Sequence, residues 1–288
     1  MASIWDDDGA PDVSHALIAI IFALGFAPVR FLLDFLVYKR LAMRLLHSGR
    51  ATLVIDETRQ LKVYKCSESM WKFTYYVSVQ MWVISILRQA PWSMNTKEYF
   101  KGWPNQEQGF STKLFCMCQC GYYTYSIVAL LIWETRRKDF YIMMSHHIIT
   151  SILIGYSYIT RFFRIGIVIL ALHDACDVFM EASKVFKYSE KEMAASLGFG
   201  CFAISWFLLR LILFPFWIIK ASSYHSVEPL IEANYFPRTF YYTFNTMLLT
   251  LLVFHIYWWK LICAMLLRQL QNEGKVGEDI RSDSEDGE

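Results

Sequence analysis

Long apolar runs recur from one end of this chain to the other, and they leave few folds open. Seven stretches, at about 16–37, 70–88, 114–133, 140–160, 163–181, 194–219 and 239–267, come near the roughly 20 residues that cross a bilayer as helix. In hydrocarbon the backbone must satisfy its own hydrogen bonds, which a helix does. The expected fold is therefore all-α, a polytopic membrane helical bundle of about seven transmembrane helices. The second and fifth runs are the weakest, being short or broken by polar groups.

Composition agrees. Of the 288 residues, 55% are hydrophobic, which excludes a disordered chain and an ordinary water-soluble globule. Net charge is only +2, so no basic field argues for nucleic acid. Placing the N-terminus outside leaves inside loops with about twice as many Lys and Arg as outside ones. That orientation, N-terminus lumenal and C-terminus cytosolic, suits an odd number of spans. Residues 38–69 read as a cytosolic loop holding a short interfacial helix, and 89–113, with its Pro and Gly residues, as a lumenal loop. The charged tail from 272 to 288 is expected to be disordered. Within it, Ser282 and Ser284 suit an acidophilic kinase.

The polar residues inside the spans carry the functional signal, because an ionisable group in hydrocarbon costs about 2.5–3.5 kcal/mol on insertion scales. His146 and His147 sit in the fourth run, Asp174 and Asp177 in the fifth. At 1.5 Å per residue, His146 lies roughly 9 Å and the aspartates roughly 6–10 Å from the cytosolic face. The two pairs thus share a level. Asp174, Asp177 and Glu181 follow one helix face. A carboxylate that fixes an imidazole leaves its other nitrogen to act as base or nucleophile. A structural polar network is the plainer alternative. A metal site is allowed by ligand type, but no H-x-x-H-H box is present, and none is assigned. Cys116, Cys118 and Cys120 alternate faces on a helix and read as buried thiols. His173 and His255 read as packing residues. Arg30 and Asp34, at i and i+4, are expected to neutralise each other, and Arg210 and Lys260 to snorkel or pair.

These residues carry a resemblance. The run WETRRKDFYIMMSHHIITSILIGYSYITRFFRIGIVILALHDACDVFMEASKVFKYS resembles the Lag1 motif of ceramide synthases, within the TRAM–LAG1–CLN8 domain family. The pieces FKGWPNQE, FNTMLL and KVGEDIRSDSED are similar to plant members related to the Alternaria stem canker resistance proteins. The resemblance implies a catalytic domain over 66–271, after a first unit of 1–65 that holds the N-terminus, first helix and loop. It implies transfer of a fatty acyl group from acyl-CoA, a co-substrate, to a sphingoid base, with no cofactor, at the endoplasmic reticulum. It also implies that His146, His147, Asp174 and Asp177 are essential. Closeness to that plant group points toward C16-type acyl chains. Membrane lipids are the surroundings, and a homo- or heterodimer stays open. From charge and position, Arg136, Arg137 and Lys138 are expected to meet the CoA phosphates. The alternatives are a non-enzymatic lipid-binding or transport protein of the same fold, and an acyltransferase acting on another lipid.

Overall fold

The computed structural model describes residues 12–46, 57–227, 231, 238–272 and 277. Among the described residues, seven long helices follow one another: α1 (Val13–Leu46), α2 (Glu57–Gln89), α3 (Phe110–Ile132), α4 (Phe140–Ile159), α5 (Phe163–Tyr188), α6 (Glu192–His225) and α7 (Arg238–Gln271). The chain is a helical membrane bundle, each helix falling on one of the seven apolar runs. Five of them (α1, α3, α4, α6 and α7) are long and apolar enough to cross a membrane. The other two, α2 and α5, are the weak second and fifth runs. They have the length but too many polar groups, and they pack along each other inside the bundle. Turns of only a few residues flank α5, so it must run back across between α4 and α6.

α1 lies at the periphery, with 11% of its apolar stretch buried against 67% for α3. It reaches α3 through a close approach at Gly121, where a Cβ would stand 2.6 Å from Cβ of Phe22 and 2.7 Å from the Ala19 carbonyl oxygen. Phe26 then inserts its ring among Trp71, Tyr75, Tyr122 and Tyr125, at centroid distances of 5.4 to 6.3 Å. We expect Gly121→Leu to destabilise the bundle by about 1–3 kcal/mol, the usual cost of overpacking. Gly25→Leu has nothing within 4 Å and should be near neutral. Melting of the two variants in detergent checks the difference.

The loop after α2 is folded down over the α4–α5 turn. Arg161 takes a left-handed conformation there, with φ 62°, and its guanidinium donates to the Pro104 carbonyl at 2.7 Å. The Trp103 indole donates to the Thr160 carbonyl at 2.8 Å. Phe100 and Trp103 close on Phe162. This end of the bundle is sealed. The opposite end, at 133–139 and 189–191, is where the interior opens.

Two expectations are corrected here. Among the described residues no interfacial helix stands apart from the spans: α1 continues to Leu46 and α2 begins at Glu57, so residues 38–46 and 57–69 extend the two helices. No Pro or Gly lies in either extension to stop the winding, and residues 47–56 lie outside the described residues. Arg30 and Asp34 do not neutralise each other either. Arg30 points inward to Glu134 at 3.7 Å and to the Tyr125 hydroxyl at 3.4 Å, while Asp34 pairs with Lys39 at 3.0 Å. The turns from Asp34 to Tyr38 are π-wound, which brings Lys39, five residues on, over Asp34.

Candidate active site

A cavity of about 190 Å³ opens at the 133–139 end and runs inward between α2, α3, α4, α5, α6 and α7. His146 and His147 line it from α4, Asp177 and Glu181 from α5, Arg210 from α6 and Trp258 from α7. The antiparallel turn at 160–162 brings the histidines level with the carboxylates, as helical rise predicts. His146 is buried, with its ring edge-on to Trp258 at 5.2 Å. His147 lies 5.8 Å from the ring of Tyr123, and the two imidazoles are 5.7 Å apart, centroid to centroid. Nδ1 of each is buried without a hydrogen-bond partner. Among the described residues, therefore, no partner holds a proton at or away from that nitrogen.

The aspartates are not bonded to these imidazoles. Asp174 accepts from Gln119 Nε2 at 2.5 Å and from the Tyr123 hydroxyl at 3.1 Å. Asp177 accepts from Arg210 at 3.0 Å. Residues three apart on a helix differ by about 60° in direction, and that is enough to turn one carboxylate to α3 and the other to α6. Asp177 reaches the cavity. Asp174 is 1% exposed and stands behind Tyr123, whose ring forms the inner wall.

His173 and His255 form a pair of their own. Nδ1 of His173 lies 2.7 Å from the Ile169 carbonyl and must donate to it. Its Nε2 is then an acceptor, and Nε2 of His255, 2.9 Å away, must be the donor. Protonating His173 would set two N–H groups against each other, and protonating His255 would add a buried N–H at its unpartnered Nδ1. The pair is thus a neutral clasp between α5 and α7, the packing role expected of both residues.

The open end is rimmed by charge. Lys72 donates at 2.9 Å to both Glu68 and Glu134, and Lys184 donates to Glu181 at 2.6 Å. Of the three basic residues predicted at this mouth, Arg137 lines the cavity. Arg136 is exposed and lies over the Phe140 ring at 5.1 Å, and Lys138 is exposed. Neither of those two lines the cavity. Lys184 and Lys187 do, and Lys187 donates to the Gly277 carbonyl at 2.5 Å. Ser282 and Ser284 lie outside the described residues. Cys116, Cys118 and Cys120 are free thiols on α3.

Sequence reasoning missed Gln119 and Tyr123 as the partners of Asp174, and Asp139, which takes the Trp258 N–H at 2.9 Å and ties the start of α4 to α7. A glutamine in the middle of an apolar run was a signal: its amide is costly in lipid and needs a buried partner.

The TLC domain model matches residues 65–264. The chain is 64% identical over 271 residues to "ASC1-like protein 3" of Oryza sativa subsp. japonica, covering 94% of this chain and 95% of that one. It is 57% identical to "Ceramide synthase LOH2" of Arabidopsis thaliana, with 96% and 93% covered. It is 32% identical to human "Ceramide synthase 5" over 77% of this chain and 55% of the human one. With a pair of adjacent histidines lining a cavity of a helical membrane bundle and likeness of this depth across nearly its whole length, the chain belongs to the TLC-domain family, in its ceramide synthase branch.

Proposed function

We propose that the chain transfers a fatty acyl group from acyl-CoA to the amine of a sphingoid base, giving ceramide, with His146 and His147 as its reacting groups. The observation that carries this reading is the pair of adjacent imidazoles, each with a buried unpartnered Nδ1, in a cavity open at one charged end. The relatives named ceramide synthases support the substrate pair. Thioester and CoA would enter from the cytosol at the 133–139 end, with the N-terminus lumenal, in the endoplasmic reticulum membrane.

In the favoured route one imidazole attacks the thioester carbonyl, CoA leaves as thiolate, and the amine then takes the acyl group from the acyl-imidazole. In the second route an imidazole only deprotonates the ammonium of the base, which attacks the thioester itself. Asp177 balances charge through Arg210, and Asp174 acts at one remove by holding Tyr123. Incubating the purified chain with palmitoyl-CoA alone separates the routes. A fatty acyl mass increment on the peptide holding His146 and His147, or CoA release without amine, supports the first. Amide formation without either supports the second. A chain that makes no amide from acyl-CoA and sphinganine ends the reading.

Arg137 at the cavity rim is suited to the CoA phosphates. A charge-assisted hydrogen bond is worth about 1.5–3 kcal/mol, so Arg137→Ala should raise the acyl-CoA KM roughly tenfold or more. Arg136→Ala and Lys138→Ala should stay within about twofold, the effect of exposed charges screened by salt. Initial rates against acyl-CoA concentration test all three.

A further inference from the structure

Acyl transfer from a thioester places negative charge on the carbonyl oxygen, and a dry site must supply hydrogen-bond donors for it. This holds whichever nitrogen attacks. The charged donors of the cavity wall are mostly taken: Lys72 by Glu68 and Glu134, and Lys184 by Glu181. Two further donors, the Tyr123 hydroxyl and the Trp258 N–H, are held by Asp174 and Asp139.

Arg210 differs. It lines the cavity and is 3% exposed. Among the described residues its NH2 donates to the His173 carbonyl at 2.7 Å and to Asp177 at 3.0 Å. Its Nε–H is buried without a partner. Its guanidinium carbon sits over the Trp206 ring, 4.0 Å from the centroid, Trp206 meets Trp258 at 6.1 Å, and Trp258 meets His146 at 5.2 Å. Cation and imidazole thus share one indole wall, and the cation is held in place before any substrate arrives. It also sits in the π-wound part of α6, Phe207–Ile219.

Resting on the acyl-transfer reading above, we propose that Arg210 is a catalytic residue that donates to the thioester carbonyl oxygen as it becomes an oxyanion. The attacking nitrogen bonds to the carbonyl carbon and the C=O π pair moves to oxygen, where the guanidinium N–H groups meet it. On collapse the C–S bond breaks, its pair leaves on sulfur, and the CoA thiolate ends with the proton the amine gives up. Asp177 keeps the guanidinium aimed and does not touch substrate.

The test uses the full chain in nanodiscs with Arg210→Lys, which keeps the charge, and Arg210→Gln, which keeps a neutral donor and serves if the lysine variant does not fold. Single-turnover acyl transfer from palmitoyl-CoA should fall about 10²-fold. Binding of S-hexadecyl-CoA, a thioether with no carbonyl, should change less than threefold. A transfer rate within threefold of wild type overturns the proposal. So does thioether binding that falls in parallel with the rate, because that marks a residue which only shapes the site. If the wild-type chain itself makes no amide, the acyl-transfer reading fails instead.

Discussion

His147→Ala is expected to lower amide formation by about 10³-fold or more while leaving the chain folded. General acid–base action contributes roughly 10²–10⁴-fold, and loss of a nucleophile costs more. His173 and His255 cannot take its place, since they are spent on each other at 2.9 Å. His146→Ala should fall by a similar factor, and the double variant scarcely further, because residues that act as a unit lose their function together. Neither Nδ1 makes a hydrogen bond, so removing the rings breaks none there. Melting temperatures in detergent should therefore shift little. Mass-spectrometric measurement of ceramide from membranes supplied with palmitoyl-CoA and sphinganine reads the activity. Full turnover in the double variant would overturn the role given to these histidines.

Lys72→Met should have the largest effect on stability. The ammonium is the shared partner of Glu68 and Glu134 at 2.9 Å each, and these side chains are 7% and 10% exposed. Arg30, the other cation near Glu134, stands off at 3.7 Å. Removing one member of a buried ion network costs about 3–5 kcal/mol, because the charges left behind have neither water nor partner. The triple variant Lys72→Met, Glu68→Gln, Glu134→Gln should recover most of that loss, since neutral amides are far cheaper to bury. Thermal melting of the single and triple variants in one detergent decides the matter. Equal stability of the single variant and the wild type would show that water reaches the network.

The fold was legible because its main rule is simple. A run of about 20 apolar residues has one stable form in hydrocarbon, and seven such runs gave seven helices in the right places. The two least apolar runs are α2 and α5, the pair that turns polar groups inward. The level of His146 and His147 with Asp174 and Asp177 followed from the helical rise. What could not be read was direction around each helix axis. An i, i+3 spacing places two carboxylates on one face, yet 60° of divergence sends Asp174 to Gln119 and Asp177 to Arg210. Local spacing misled at Arg30 for the same reason, since its partner Glu134 comes from a loop a hundred residues on. Long-range polar partners depend on which helices become neighbours, and a single chain's hydropathy does not encode that.

The central position of α2 and α5 bears on how cells manufacture this protein. A ribosome delivers α2 to the membrane well before α5, and even before Glu134 exists to meet Lys72. Alone in acyl chains, α2 would face lipid with Glu68 and Lys72, which insertion energetics oppose. It must wait at the translocon, or beside its exit, until the later helices enclose it. Maturation is then a late, collective event, with the outer apolar helices settling first and the polar pair locking last. Lesions in the Lys72 network should accordingly surface as short-lived, unassembled polypeptide cleared by quality control, whereas loss of His146 or His147 should leave normal amounts of an inert protein.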